Sequence, residues 1–235
     1  MVHSPTNNVL ASLASSDEEA LRPHMKSIDL RQGMVVGEAG NTIDRVIFPN
    51  SGIISVVVAL SSGEMIEIGM IGRDSVLGAS VAIEDDVFLN QAIVQVAGAG
   101  TVIEATPIRQ VAAQSPAFRA TFMKHERMLL AQSQQSAACD ALHELEARLA
   151  RWLLRARDAL GSDDLALTQE FLSQMLGVRR TSVSVVANTL QRAGVIKYRR
   201  GHINILNVEG LRECACECYE SVKSMSDRLM TRVPG

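Results

Sequence analysis

The stretch Thr168–Leu206, TQEFLSQMLGVRRTSVSVVANTLQRAGVIKYRRGHINIL, decides the fold. If Gln169 begins the unit, apolar side chains fall at the inward positions of two helices that pack across a tight turn: Leu172, Leu176, Val178, Val183 and Val186. Ser173 is small where the helices approach each other, and Gly177 stands where the first helix must end, because glycine adopts the left-handed backbone conformation at little cost. This spacing predicts a helix-turn-helix, the motif whose second helix enters the major groove of DNA.

Polar residues cluster at the N-terminal end of the predicted second helix, the end that reaches base edges: Arg179, Arg180, Thr181, Ser182 and Ser184. Arginine bonds a guanine edge through two parallel hydrogen bonds, whereas threonine and serine contact bases or phosphates. Beyond Gly194, short apolar runs flank the basic segment Lys197–His202, which predicts a β-hairpin wing along the phosphate backbone. A small module of helices and a hairpin, with the arginine pair simply exposed to solvent, is the alternative interpretation.

Charge is unevenly distributed along the chain. Residues 1–105 contain five Lys or Arg and thirteen Asp or Glu, whereas residues 165–207 contain six basic residues and Glu170 as their one acidic residue. A basic module concentrated in a near-neutral chain binds an anion at that module. The distribution therefore favours DNA contact through the C-terminal part and opposes contact along the whole length.

Two further regions precede this unit. Residues 28–106 consist of short β-branched runs separated by glycines, which predicts a β sandwich, jelly roll or other compact β structure. A short helix is predicted over Ile108–Gln114, and a break near Cys139–Ala141 then precedes another helix, His143–Leu160. Between them, a stripe recurs at alternating spacings of four and three: Phe118, Phe122, His125, Leu129 and Gln132. Such a stripe must be buried, either against the β domain or against a second subunit.

This order of elements resembles the Crp/Fnr (cyclic-AMP receptor protein/fumarate-nitrate regulator) family of bacterial transcription factors, most specifically across Leu172–Leu206. The resemblance covers roughly residues 25–210 and implies an α+β fold. It implies an N-terminal β-roll (jelly-roll) sensor domain over 1–107, a dimerisation helix over 108–138 and a winged helix-turn-helix domain over 139–235. The expected protein is a homodimeric regulator that binds a pseudo-palindromic site on double-stranded DNA, with RNA polymerase as a further partner.

The resemblance also implies residue roles. By position, base reading falls to Arg180, Thr181, Ser184 and Val185. Phosphate contacts are expected from Gln169, Arg179, Ser182, Arg199 and Arg200. The two protomers are expected to meet through Phe118, Phe122, His125, Leu129 and Gln132. Val185 replaces a basic residue that is common at this family position, and valine can contact a thymine methyl group but cannot donate to guanine, so a different target sequence is expected.

Family members that bind cyclic nucleotides use a Gly-Glu pair followed, after a short spacer, by Arg and Ser or Thr. Here Ala79 stands where the sugar-binding carboxylate is expected, and no Arg lies between Arg73 and Arg109. A buried cyclic phosphate would therefore lack a cation. We predict that cyclic AMP does not control this protein. No cofactor is predicted and the effector is left open; the alternative is a small-molecule receptor, or a redox or metal sensor, whose β domain gates DNA binding.

The cysteines invite a metal-site interpretation, because Cys214, Cys216 and Cys218 crowd together and thiolates bind zinc and iron–sulfur clusters. On a continuous helix, however, Cys214 and Cys218 share a face while Cys216 points away. We therefore predict partly buried structural residues and no metal site. With Cys139, these are the chain's only cysteines, so no disulfide framework is expected.

Other functional classes find little support in the sequence. No apolar run is long enough for a membrane span, and the first residues do not resemble a secretory signal, so a cytoplasmic protein is predicted. No histidine lies within residues 28–106, where a metalloenzyme of the cupin type would need its ligands. No phosphate-binding loop or catalytic motif occurs either, and no enzymatic activity is predicted.

Overall fold

The computed structural model of the chain describes residues 7–84, 87–199 and 201–231. A β-rich N-terminal domain is followed by a long central helix and by a helical C-terminal domain that contains a small sheet. This architecture confirms the predicted α+β fold. None of the helices in the described ranges combines the length and apolar character needed to cross a membrane.

The N-terminal domain is built from antiparallel strands: β1 (Lys26–Leu30), β2 (Val35–Gly37), β3 (Arg45–Pro49), β4 (Ile53–Ala59), β5 (Met65–Ile71), β6 (Gln91–Val96) and β7 (Gly98–Glu104). They form two sheets, in the orders β1–β7–β3 and β2–β6–β4–β5. Residues from both sheets, including Ile47, Ile54 and Val94, share one buried cluster. Gly52 begins the turn into β4 with φ of +82°, and a Cβ there would lie 2.5 Å from the carbonyl oxygen of Val96. Only glycine fits this turn.

Two short N-terminal helices, α1 (Asn8–Ala11) and α2 (Ser15–Leu21), pack on the β domain, and α3 (Ala105–Gln114) follows β7. The long helix α4 (Pro116–Leu142) begins at Ser115, whose hydroxyl accepts a bond from the backbone N–H of Phe118 at 3.2 Å. The expected break near Cys139–Ala141 is wrong by a few residues. The helix continues because this segment contains neither glycine nor proline, and it ends where the backbone of His143 becomes extended.

The aromatic part of the α4 stripe contacts the β domain of its own chain. The rings of Phe118 and Phe122 stack with centroids 4.3 Å apart, and Phe122 meets Phe48 of β3 edge-on at 6.1 Å. Phe118 and Phe122 are fully buried in a single chain. They fill the space between α4 and the sheet that contains β3.

The remaining stripe residues face the same way. His125 is buried, and the Oε1 of Gln132 accepts a bond from the backbone N–H of Met70 at 3.2 Å. Leu129 lies over Gly69, where an added Cβ would come within 2.4 Å of the leucine. The five residues expected to join two protomers therefore pack within one protomer. The physical reason is that the β domain leaves apolar side chains near β3 and the backbone of β5 open to α4, and this stripe covers both.

The C-terminal domain contains α5 (Leu145–Leu160), β8 (Asp164–Leu165), α6 (Gln169–Met175), α7 (Arg180–Arg192), β9 (Ile196–Arg199), β10 (His202–Ile205), α8 (Val208–Cys214) and α9 (Cys218–Thr231). Its core is continuous with the β domain, because Val57 and Met70 belong to the same buried cluster as Trp152 of α5 and Met175 of α6. The helix-turn-helix is thus anchored to both neighbouring parts of the chain.

Candidate nucleic-acid interface

The helix-turn-helix has the local geometry that the sequence predicts. The hydroxyl of Thr168 caps α6 by accepting a bond from the N–H of Phe171 at 3.1 Å. Gly177 lies in the turn with φ of +62°, in the left-handed region. The predicted inward residues pack between the helices; Leu172, Leu176 and Val183 are buried, and Val178 and Val186 are partly buried. These contacts fix the angle at which α7 leaves the domain.

The polar end of α7 faces outward. Arg179 occupies the N-cap position, and the side chain of Arg180 is 65% exposed, with its Nη1 3.9 Å from the carboxylate of Glu170. Thr181 is exposed and Ser182 is half-buried. Because an exposed ion pair at this distance contributes about 0–1 kcal/mol, Arg180 is readily released to another acceptor.

Gln169 and Ser184 link the two helices. The hydroxyl of Ser184 lies 2.7 Å from Oε1 of Gln169 and 3.0 Å from the carbonyl oxygen of Arg180. With its oxygen engaged by Ser184, the Gln169 side chain directs its amide group away from the contact. That group is a hydrogen-bond donor, as a phosphate requires.

The outward face of α7 extends further than sequence reasoning indicated. Val185 is 66% exposed, and Asn188 and Arg192 are exposed on the same side of the helix. Together with Thr181, these residues recur at spacings of four, three and four, which is one helical face. This periodicity was visible in the sequence, so Asn188 and Arg192 are additional candidates for DNA contact.

The predicted wing is present as β9 and β10, with β8 pairing on the other side of β10. Gln191 connects it to α7, because its Oε1 accepts a bond from the backbone N–H of Tyr198 at 2.9 Å. Arg199 and Lys197 are exposed on β9. Arg200, the other predicted phosphate contact on the wing, lies outside the described residues.

The β domain contains a cavity of about 110 Å³ beside Gly78 and Ser80, the neighbours of Ala79. Ser80, Asn90 and Glu126 line it together with apolar groups, and the described part of its lining includes no Lys or Arg. The Phe88 ring also narrows this region; a Cβ on Gly37 would lie 2.7 Å from that ring. The cavity therefore offers no cation to a phosphate.

A larger cavity, about 260 Å³, lies between β5, α4, α5 and α9 and is lined in part by Glu67, Asp74, Trp152 and Arg155. Burial raises the pKa of Glu67 to about 7, although Ser55 and the indole N–H of Trp152 donate hydrogen bonds to its carboxylate. We name this space the junction cavity, because all parts of the chain meet there.

Two of the charged residues beside the junction cavity, Asp74 and Arg155, form an ion pair. Arg155 donates to both carboxylate oxygens of Asp74, at 2.8 and 3.3 Å. Burial opposes the ionisation of Asp74, but the charge and hydrogen bonds of Arg155 outweigh it and lower the pKa of Asp74. Burial lowers the pKa of the neighbouring His125 to about 4, so this imidazole is neutral near pH 7.

The structure corrects the expectation that Cys216 points away from its neighbours. The helix does not run through this segment, because α8 ends at Cys214 and α9 begins at Cys218. The interruption turns Cys216 and Cys218 towards Cys139, while Cys214 remains outside the group. The helical geometry used to separate the thiols therefore does not apply.

An exposed basic helix end with a hairpin wing beside it is the arrangement of a winged helix-turn-helix domain. Residues 147–214 match the family model described as the Crp-like helix-turn-helix domain. No curated protein shows a significant match to the chain. The matched segment is therefore a Crp-like helix-turn-helix domain, and in this chain it follows a β-rich domain and a long helix.

Solved structures share this fold over most of the chain. FixK2 from Bradyrhizobium japonicum superposes with a TM-score of 0.71 at 14% identity, covering 82% of this chain and 98% of its own. A Crp/Fnr-family transcriptional regulator from Eubacterium rectale gives 0.66 at 16% identity, covering 89% and 98%. The c-di-GMP-responsive global regulator CLP of Xanthomonas campestris gives 0.65 at 15% identity, covering 82% and 99%. At these identities the similarity establishes the fold.

Proposed function

We propose that the protein regulates transcription as a homodimer that presents two α7 helices to a pseudo-palindromic DNA site. The observation that carries the proposal is the exposed polar end of α7, held by a buried apolar face and linked to α6 through Ser184 and Gln169. Arg180 and Thr181 read base edges, with Ser184 and Val185 beside them. Gln169, Arg179, Ser182, Arg199 and Arg200 hold phosphates. Contact with RNA polymerase follows from the family resemblance.

The direct test is binding to operators selected from a randomised oligonucleotide pool. Arg180→Ala should weaken binding by about 1–3 kcal/mol, or roughly 5- to 150-fold in Kd, and relax selectivity at one base position. Arg31→Ala removes the same charge from an exposed site in the β domain and should leave binding unchanged. Equal weakening on every sequence would show that Arg180 contacts only phosphate. Failure of the unaltered protein to select any sequence at low salt would refute the proposal.

The proposed dimer uses the side of α4 opposite the buried stripe. Met123, Arg127, Leu130, Gln134, Ala137 and Ala141 are all exposed in the single chain and recur at alternating spacings of four and three. This is the seam of a short coiled coil. The apolar members Met123 and Leu130 are 42% and 57% exposed, so a second α4 helix would cover them.

A charge placed on this seam tests the dimer. Leu130→Glu should shift the protein from dimer to monomer in sedimentation velocity, because two carboxylates would face each other across the seam. Leu89→Glu makes the same replacement at an 82% exposed residue of the β domain and should leave the dimer intact. A dimer that tolerates Leu130→Glu would place the interface elsewhere.

We also propose that cyclic AMP does not control the protein. The cavity of the β domain is small, Phe88 narrows it, and its described lining supplies no positive charge for a cyclic phosphate. Calorimetry with cyclic AMP is therefore expected to show no binding. Micromolar affinity would overturn this part of the proposal.

A second candidate function is control by a small molecule in the junction cavity. Its lining combines apolar surface with Glu67, Asp74, Arg155 and Gln132, which suits a compact polar effector. Trp152 lines the cavity and is the only tryptophan of the chain, so its fluorescence reports on occupancy. Native mass spectrometry of freshly purified protein should reveal a retained ligand whose removal changes both this fluorescence and DNA affinity. A ligand-free protein with full DNA affinity would exclude this function.

A further inference from the structure

Four metal-binding side chains converge where the long helix meets the C-terminal domain. Cys139 lies in the last turn of α4, His143 follows that helix directly, and Cys216 and Cys218 lie at the interruption between α8 and α9. One ligand atom from each lies within 4.8 Å of all the others. We propose that these residues, the Cys3His cluster, bind one zinc ion.

The distances fit a single tetrahedral ion. The sulfur atoms of Cys139 and Cys216 are 3.5 Å apart, and the sulfur of Cys218 is 3.5 Å from Nδ1 of His143. Zinc bonds of about 2.3 Å to sulfur and about 2.0–2.1 Å to nitrogen place tetrahedral ligand atoms roughly 3.5–3.8 Å from one another. An iron–sulfur cluster distributes its ligands over several iron atoms and holds them farther apart. The compact arrangement therefore favours one ion, and Cys3His is a ligand set of closed structural zinc sites.

The surroundings orient the proposed ligands. Nδ1 of His143 faces Cys218, while its Nε2 lies 3.2 Å from Oε1 of Glu217. With Nδ1 bound to the ion, Nε2 carries the proton and donates to this carboxylate, as in many metal sites that pair histidine with a carboxylate. The amide of Gln135 also donates to the sulfur of Cys218 at 3.0 Å. The Gln135 contact acts on a sulfur atom that would bind the metal, and the Glu217 contact acts on the imidazole ring of His143.

Burial protects the proposed metal ligands from competition with water. Cys139, Cys216 and Cys218 are 0%, 8% and 1% exposed, so bulk water does not compete freely for the ion. The thiolates bind the ion as anions and release their protons to solvent on binding. Cys214 is half-buried, lies outside the cluster and provides a natural internal control.

The position of the site gives the ion a structural role. Its ligands come from residues 139–143 and 216–218, so one ion would join the end of α4 to the first residue of α9 and the segment just before it. Binding at both segments favours the arrangement in which the C-terminal domain is fixed against α4. Because the unfolded chain does not hold the four ligands together, metal binding should stabilise the folded state.

Metal content of the full chain, purified under reducing conditions without added chelator, is the first test. We expect one zinc per chain by inductively coupled plasma mass spectrometry, less than a tenth of that in Cys216→Ser and an unchanged amount in Cys214→Ser. Circular dichroism identifies any variant that fails to fold. If Cys216→Ser fails to fold, Glu217→Gln is tested in its place. Loss of the carboxylate that contacts His143 should keep one zinc per chain and lower the zinc affinity about 10- to 100-fold.

Cobalt substitution tests the ligand set itself. Co²⁺ added to chelator-treated protein should produce the intense visible absorption of a tetrahedral site and a thiolate-to-cobalt charge-transfer band. The band should weaken in Cys139→Ser and persist in Cys214→Ser, whereas His143→Ala should keep the band and shift the visible absorption. These readouts do not involve DNA, so Arg180→Ala should leave them unchanged.

Three outcomes overturn the proposal. The first is folded protein that neither retains zinc nor takes up cobalt. The second is iron and sulfide after anaerobic purification, with the absorption of an iron–sulfur cluster. The third is a Cys139–Cys216 disulfide, mapped by mass spectrometry, in protein that binds no metal after reduction.

Discussion

Ionisation of Glu67 is predicted to make the folded protein less stable as pH rises. Burial raises the pKa of this carboxyl from 4.5 to about 7, so the native state binds more protons than the unfolded state between these two values. Stability falls wherever the native state must release a proton that the unfolded state has already lost. The free energy of unfolding contributed by Glu67 is therefore greatest below pH 4.5 and is lost as pH rises to about 7.

The magnitude follows from the two pKa values. Each pH unit corresponds to 1.36 kcal/mol, which gives a loss of about 2–3 kcal/mol between pH 5 and pH 8. Glu67→Gln keeps an acceptor for the indole N–H of Trp152 but cannot ionise. The difference in unfolding free energy between wild type and this variant should therefore change by about 2–3 kcal/mol over this range, in favour of the variant at pH 8.

Urea unfolding followed by circular dichroism at pH 5 and pH 8 measures this difference. Glu64→Gln is the matched control, because Glu64 is exposed in the turn between β4 and β5, and its profile should run parallel to wild type. Parallel profiles for wild type and Glu67→Gln would refute the reasoning. They would show that the carboxyl is ionised at pH 5 as it is in water.

Two further predictions concern how the helix-turn-helix is held. The Arg148 side chain is only 10% exposed, pairs with Asp140 at 2.8 Å and donates to the carbonyl oxygen of Leu176 at 2.6 Å. Arg148→Ala should therefore lower the free energy of unfolding, measured in urea, by about 3 kcal/mol. A loss below about 1 kcal/mol would contradict this prediction. Gly177→Ala places a Cβ on a residue with φ of +62°, 3.2 Å from Ile66. This substitution should lower the free energy of unfolding by about 1–2 kcal/mol in the same assay. A stabilised variant would show that the turn is not left-handed.

The helix-turn-helix could be predicted because its determinants are local. Thr168, Gly177 and the inward residues such as Leu172 lie within a short segment whose spacing specifies two helices and the turn between them. The partner of the α4 stripe could not be predicted in this way. The spacing of Phe118 and Phe122 shows that one side of the helix is buried. A second subunit and the β domain could each cover that side equally well. The seam on the opposite side, which includes Met123 and Leu130, can be recognised only once the structure shows that the β domain covers Phe118 and Phe122.

The Cys3His cluster depended on a different kind of information. The sequence shows Cys139 four residues before His143, and it shows Cys216 and Cys218 close together. Each pair alone is a weak indication of a metal site, because the whole helix-turn-helix separates one pair from the other in the sequence. Their convergence requires the interruption between α8 and α9, and no glycine or proline in the segment 214–218 marks that interruption.

The contacts of Arg148 connect the end of α4 to the turn that precedes α7. This side chain, on α5, binds Asp140 near the end of α4 and the carbonyl oxygen of Leu176 in the turn that precedes α7. A displacement of the end of α4 therefore acts on the turn that sets the direction of α7. Cys218 belongs to the Cys3His cluster and also lines the junction cavity, so a bound ion and a bound effector would act on adjacent atoms. Under the proposed function, either ligand would therefore act on α7 from a distance, by changing how firmly the end of α4 is held.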